Sequence, residues 1–264
     1  LYHKWFPRVY QNHAAASEAG RSSAGGAEPF ARGTAAPGPG AHPSGVRVAA
    51  VQMRLDLIED PRRYAEKIRT LTEAAAGRGA RLVVFPEDSG TPLAGLIPGL
   101  EELAGRGMEA AVADLAGRGM KVAEIFREIS PAVKRIYETT FSTLAKEFRL
   151  YIITGSAYLE DDDGRMRVIG YFYGPNGEIL AKQRKLHLVP MEAAWGFEPG
   201  ADLEVLDTPL GRIAFPICMD ATYFETFRIV AQRGADIVII PSANPEEYNW
   251  WRALRGIWPR VQES

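Results

Sequence analysis

The sequence predicts an α/β fold whose sheet is covered on both faces. Three observations lead there: short runs that are apolar at consecutive positions, helix-period segments between them, and Gly or Pro at the junctions. The runs include "VRVAAVQM" from Val46, "RLVVFPE" ending at Glu87, "LYIITGSAYL" from Leu150 and "DIVIIPSAN" ending at Asn244. A strand of this kind has no polar side to offer to water, so both sides of the sheet must be packed.

Order is expected to begin near Val46. Residues 14–45 are dominated by Ala, Gly, Pro and Ser. That composition buries too little apolar surface to offset the entropy of ordering, so 1–45 is read as a flexible arm or linker. Its aromatic and basic start, "LYHKWFPRVY", reads as a remnant of an upstream segment, or else as an arm that docks on another subunit.

The first run is a buried strand. Asp60-Pro61 then opens a helix, with Asp as cap and Pro in the first turn, and Tyr64, Ile68, Leu71 and Ala75 keep helical spacing to Gly77 or Gly79. "RLVVFPE" is the second strand. Residues 99–128 form an insertion expected to be helical but broken or mobile. "LAGRGM" occurs there twice, at Leu103–Met108 and Leu115–Met120, and glycines weaken a helix by about 1 kcal/mol each. Two copies do not make a solenoid.

Pro131 is expected to start a better helix, with Val133, Tyr137, Phe141, Leu144 and Phe148 on one side. "LYIITGSAYL" is read as a third strand. "RVIGYFYGPNGEILAKQRK" is a hairpin turning at Pro175–Gly177. "LEVLDTPLGRIAFPICMD" gives two strands around Pro209–Gly211, "ATYFETFRIVAQRGA" a helix stopped by Gly234, and "DIVIIPSAN" a last buried strand.

Composition narrows the function classes. With 46% hydrophobic residues in 264, the chain can bury one large core. A net charge of −2 carries no basic excess, so nucleic acid and membrane surfaces are not expected partners. The longest apolar runs, such as Ile237–Ile240, are too short to span a bilayer, and no signal-peptide pattern is present. A single cysteine excludes an intrachain disulfide and makes a cytoplasmic setting the default expectation. The chain begins at Leu1, which is read as a fragment or a processed start.

Three residues carry the chemical reading. A lone cysteine is most often an inert buried hydrophobe. Cys218, however, ends the strand "RIAFPIC" just before a helix near Thr222. Strand ends of α/β sheets are where ligands bind, and such an elbow offers backbone N–H groups to a developing oxyanion and favours thiolate. Glu87 follows "VVFP" at another strand end; it either caps a turn or serves as a general base. Lys185 ends "ILAKQRK"; it is either a surface lysine beside Lys182 and Arg184 or a cation for an oxyanion.

"VRVAAVQM", "RLVVFPE", "RKLHLVP" and "GRIAFPICMD" occur in that order, and together the sequence resembles the carbon–nitrogen hydrolase superfamily of nitrilases, amidases and N-carbamoyl amidohydrolases from Val46 to Ser264. The resemblance implies a four-layer αββα sandwich, here apparently lacking its C-terminal strands, in a domain spanning 46–264. It implies a Glu87–Lys185–Cys218 triad with Cys218 as nucleophile, and the Met219 N–H as an oxyanion donor. Glu192 is the candidate second, substrate-positioning glutamate, one residue short of the spacing in some branches. Asp220 matches the family's C-x-D and is expected to fix the elbow. Arg260 and Glu263 resemble a late R-x-x-E signature. Trp195, Tyr223 and Asn244 are pocket candidates, with core packing the alternative for the aromatics. No cofactor and no metal are implied, and the expected partners are a small amide, carbamoyl or nitrile substrate and a second copy of the chain. Two further readings stay open: a truncated, inactive scaffold of the same fold, and an acyltransferase that uses the same thioester.

Overall fold

The structure, a computed structural model, describes residues 45–100 and 121–244. The arm at 1–44, both copies of "LAGRGM", Arg260 and Glu263 lie outside the described residues.

Strand β1 (Val48–Ala50) leads to helix α1 (Pro61–Gly77), then β2 (Leu82–Val84), helix α2 (Val122–Phe148), β3 (Tyr151–Ile153), β4 (Ala157–Glu160), β5 (Met166–Tyr173) and β6 (Ile179–Arg184). These six strands form one sheet in the order β1-β2-β3-β5-β4, with β6 also on β5. β1, β2 and β3 are parallel, whereas β5 runs antiparallel to β3, β4 and β6. A short helix α3 (Pro190–Trp195) follows, then β7 (Val205–Thr208), β8 (Gly211–Ala214), helix α4 (Phe224–Gln232) and β9 (Ile237–Val238). The second sheet has the order β7-β8-β9.

Period-two alternation sorts the apolar runs between layers. Val83, Ile152, Tyr171 and Tyr173 pack on Tyr64 and Ile68 of α1 and on Val133, Tyr137 and Phe141 of α2. Their neighbours Leu82, Val84, Ile153 and Phe172 face the second sheet through Leu210, Ile213 and Phe215. Ala214, between Ile213 and Phe215, turns to Val230 of α4. The layers are therefore α1 with α2, sheet, sheet, α4: the αββα sandwich. Each large side chain buried between the layers contributes about 1.5–3 kcal/mol.

The expected α1 forms, with Asp60 accepting from the Arg62 N–H at 2.9 Å. Three expectations are corrected. The first and last runs form strands that are not buried: Val48 and Ala50 of β1 are exposed, and Ile237 and Val238 of β9 are half-buried. Pro131 does not start a helix; it lies inside one that begins at Val122. An interior proline costs about 3 kcal/mol, but here the helix is buried on both sides of it, by Ile125 before and Val133 after. "LYIITGSAYL" is two strands, not one. The break is Gly155 at φ 77°, where a Cβ would lie 1.8 Å from the Pro86 carbonyl oxygen, so only glycine fits. That close approach holds the Pro86–Glu87 segment against the start of β4.

Candidate functional site

Each chemical residue sits just past a strand. Phe85 continues the β2–β3 ladder, its N–H donating to Ile153 O at 2.9 Å, and Glu87 follows two residues later. Lys185 is the residue after β6. Beyond β8 the chain runs extended to Cys218, whose N–H donates to Pro241 O at 2.9 Å. Cys218 has φ 42° and opens a five-residue 3-10 turn, Cys218–Thr222. The expected elbow is present, although the strand pairing itself ends at Ala214.

The three side chains converge although 98 residues separate Glu87 from Lys185. Lys185 Nζ donates to Glu87 Oε1 and to Glu192 Oε1, both at 2.8 Å. All three are buried, the Lys185 side chain to 1% exposure. Glu87 Oε2 accepts the Ala243 N–H at 3.0 Å, and its carboxylate is near enough to the Cys218 thiol to act on it electrostatically. Cys218 Sγ lies 3.9 Å from Asn244 Oδ1. An ammonium between two carboxylates beside a thiol is the resulting cluster.

Local structure explains how the cluster is held. Glu192 is the third residue of α3, after Pro190 at its start, and its Oε2 accepts the Val189 N–H at 2.8 Å while Oε1 meets Lys185. One carboxylate thus caps a helix and faces the lysine. Buried Asp220 joins the two loops. Its Oδ2 accepts the Ile217 N–H at 2.9 Å, and Oδ1 accepts from Leu186 N at 3.1 Å, His187 N at 2.8 Å and the His187 ring at 2.9 Å. The Cys218 elbow and the Lys185 strand end cannot part without breaking these bonds. Among the described residues no protein acceptor faces the Met219 N–H, as befits the first turn of a helix.

The electrostatics follow from burial. Desolvation pushes the Cys218 thiol well up, and the Glu87 carboxylate adds to it, with Lys185 opposing. The elbow therefore does not favour thiolate at rest; the expectation fails because one 3-10 turn offers little dipole against a dry site and a carboxylate. Burial works against the Lys185 charge, but Glu87 and Glu192 outweigh it and raise the lysine above its ordinary range. Burial raises Glu192 and Asp220.

The remaining candidates divide. Tyr223 is 38% exposed and stacks on the His187 ring at 3.9 Å, while Asn244 faces the thiol. Trp195 packs against Ala123, Tyr158, Met166 and Phe197, which is the core-packing alternative. Sequence reasoning missed Asp88, at φ 62° with its N–H donating to Ser156 Oγ at 3.1 Å, although "FPED" announces a second acid and Asp tolerates the left-handed region. Among the described residues, no group of three or more His, Cys, Asp or Glu is placed to hold a metal ion, and no helix is long and apolar enough to cross a membrane. A cleft of about 360 Å³ opens elsewhere, along β1 between Arg47 and Arg78, and contains none of these groups.

Comparison with known proteins points the same way. The family model described as carbon-nitrogen hydrolase matches residues 47–256. A probable hydrolase of Bacillus subtilis, YhcX, is 30% identical over 214 residues, covering 78% of this chain and 36% of the relative. The human omega-amidase NIT2 is 26% identical, covering 75% of this chain and 63% of the relative. This chain therefore spans less than two thirds of the length of either. An amidase from Nesterenkonia sp. shares the fold with a TM-score of 0.62 at 21% identity, covering 84% of this chain and 73% of that one.

Proposed function

The chain belongs to the carbon–nitrogen hydrolase family, and from that membership we propose that it hydrolyses a non-peptide C–N bond through a thioester on Cys218. The substrate class is a small amide, carbamoyl compound or nitrile. One observation carries the reading: the buried Glu87 carboxylate bonds the Lys185 ammonium at 2.8 Å and acts electrostatically on the Cys218 thiol.

The chemistry runs from the resting thiol. Because burial disfavours thiolate, the proton must leave as the sulfur attacks, and Glu87 is the group in place to take it. The sulfur–carbon bond forms as negative charge develops on the substrate's oxygen or nitrogen. Lys185 Nζ and the Met219 N–H are the donors available for that charge. With an amide or carbamoyl compound Glu87 then returns the proton to the departing nitrogen, and ammonia or an amine leaves; a nitrile first gives a thioimidate, which takes up one water before ammonia leaves and the thioester forms. Water, its proton taken by Glu87, attacks the thioester; the acid is released and the thiol restored. Glu192 keeps Lys185 in place throughout and lines the site as its second carboxylate. The segment 46–264 is proposed to act as one hydrolase domain, with the arm before it taking no part in the chemistry.

The test is a panel of small amides and nitriles offered to the whole chain, with intact mass read during turnover. An acyl adduct on the single cysteine is expected, and Cys218→Ala should lose both adduct and at least about 10³-fold in turnover while melting as the parent does. Turnover persisting in Cys218→Ala would refute the nucleophile. Added hydroxylamine that diverts the product to a hydroxamate would support the thioester, and a preference for amines over water would favour acyl transfer.

A further inference from the structure

Two loops must stay in register for the chemistry above. One carries Lys185 at the end of β6; the other is the Cys218–Thr222 turn, with the thiol and the Met219 N–H. Both donors serve one developing charge, and a misplacement of about 1 Å in such a group can cost about a hundredfold in rate. The Lys185 backbone is fixed from elsewhere. Its N–H donates to Val168 O at 2.9 Å and its carbonyl accepts the Gly200 N–H at 2.8 Å. Those bonds tie it to β5 and to the segment before β7, not to the elbow.

His187, two residues on, reaches the elbow twice with one ring. Nδ1 bonds Asp220 Oδ1 at 2.9 Å, in the middle of the turn. The ring face stacks on Tyr223, the residue that ends the turn, with centroids 3.9 Å and planes 17° apart. Tyr223 is tied back to the turn by its own N–H, which donates to Asp220 O at 3.3 Å. The bond restrains the imidazole within its plane, and the stack restrains it along the normal. Asp220 would not be stranded without the ring, because the N–H groups of Leu186, His187 and Ile217 still donate to its carboxylate. The His187 side chain is 32% exposed, so covering apolar surface is not its main contribution.

We propose that His187 is a positioning residue that fixes the Met219 N–H relative to Lys185 Nζ, so that both donors meet one oxyanion. The proposal rests on the reading of Cys218 as the nucleophile. It separates two reactions of the same sulfur. Attack on an acyl carbon creates an oxyanion and needs both donors in place. Displacement of a halide from a saturated carbon creates none, and needs only an accessible thiol that can lose its proton. Loss of the His187 ring slows the first and spares the second.

The sole cysteine allows both reactions to be followed by intact mass over time on the whole chain, with no natural substrate. The acyl probe is p-nitrophenyl acetate: the sulfur bonds the acetyl carbon, the carbon–oxygen bond breaks, nitrophenolate leaves and Glu87 takes the thiol proton. The alkyl probe is 2-iodoethanol: a sulfur–carbon bond forms, iodide leaves and the proton passes to the same carboxylate. His187→Ala should acetylate about ten- to hundredfold more slowly than the parent. Its alkylation should stay within about twofold of the parent's. His187→Asn keeps a donor for Asp220 without the stack, and His187→Phe keeps the stack without the donor. Each should recover part of the acetylation rate, and the two carry the comparison alone if His187→Ala does not fold. His187→Ala and Tyr223→Ala should cost less together than the sum of their separate costs.

Acetylation and alkylation slowed in the same proportion would show an elbow disturbed as a whole, and would overturn the positioning role. Acetylation unchanged in the His187 variants would overturn it as well and leave the nucleophile reading standing. A parent that acetylates no faster than Cys218→Ala would overturn both.

Discussion

Two buried charge clusters in this molecule use the same ingredients in opposite proportions. At the site, one ammonium is set between Glu87 and Glu192, with Asp88 close by. At the hairpin joining β4 to β5, one fully buried carboxylate is set among three cations, of which Arg167 and Lys182 also bond the more exposed Asp163 and Asp162. Asp161 accepts from Arg167 Nη1 at 2.6 Å, Lys182 Nζ at 3.0 Å and Arg184 Nη2 at 3.1 Å, with its side chain 1% exposed. Burial alone would raise the Asp161 carboxyl, but Arg184, the Asp162 N–H and Lys182 outweigh it and hold the group far below its usual range. In the first cluster Cys218 and Asp88 are pushed up. Burial is common to both; what differs is whether cations outnumber carboxylates. A cluster whose charges are all compensated ties the hairpin to β6 and changes little with pH. A cluster short of one cation keeps protons within reach of a thiol, which is what acid–base chemistry needs.

The comparison can be broken most severely at Lys185. Lys185→Met keeps the length of the side chain but leaves Glu87 and Glu192 facing each other without a counter-ion. Stranding buried charge costs about 3–5 kcal/mol, less whatever the pair recovers by taking up a proton. Turnover should fall by at least about 10³-fold, since the oxyanion loses its cation. Denaturant melts at pH 7 and 5 check the first effect: the loss should be smaller at pH 5, where carboxyls protonate more easily. A variant as stable as the parent at both values would mean that Lys185 is not the keystone of the cluster.

Asp161→Asn should act on stability alone. Removing a carboxylate from among Arg167, Lys182 and Arg184 is expected to cost about 2–4 kcal/mol, moderated because Lys182 and Arg184 reach solvent. The sign with pH follows from a depressed carboxyl. Its stabilisation is full above the unfolded value near 3.9 and is lost as pH falls below that toward the folded value. Parent and variant should therefore differ by a constant amount from pH 5 to 8 and converge below about pH 4. Alkylation of Cys218 in the folded variant should match the parent. A changed alkylation profile would show that the two clusters communicate, and the contrast between them would fail.

How much of this was legible in the sequence depends on range. Buried strands were readable because a run such as Leu82–Phe85 has apolar side chains on both faces, and the helix at Pro61 because Asp60 and Pro61 announce it. Cys218, Glu87 and Lys185 were readable as strand-end residues, since one side chain beyond a buried strand is where polar chemistry can reach a pocket. What failed needed a contact. The break at Gly155 is dictated by the Pro86 carbonyl, 69 residues earlier in sequence. The thiol is pushed up first by burial and then by Glu87, neither of which the local turn announces. Between the pocket and core-packing readings of Trp195 only the fold decides, by packing it against the buried cluster that includes Phe197 and Tyr158. α3 carried a local signal, Pro190 with Glu192 two residues on, but the same Glu192 reaches the lysine only in three dimensions.

The smallest effect is expected at the rim of the hairpin cluster. Lys134 of α2 lies 3.6 Å from Asp162, whose side chain is 69% exposed. The geometry is loose, water screens the pair, and Lys182 already holds Asp162 at 2.6 Å. Exposed pairs of this kind contribute about 0–1 kcal/mol, so Lys134→Ala should move the denaturation midpoint by no more than that and should lose its effect in 1 M salt. Asp161→Asn should keep most of its cost in the same salt, because its partners approach within 3.1 Å around a carboxylate that water does not reach. If Lys134→Ala costs as much as Asp161→Asn, the cluster has no hub. Its strength would then lie in the long-range field of all its charges, and cation excess at Asp161 would no longer explain its behaviour.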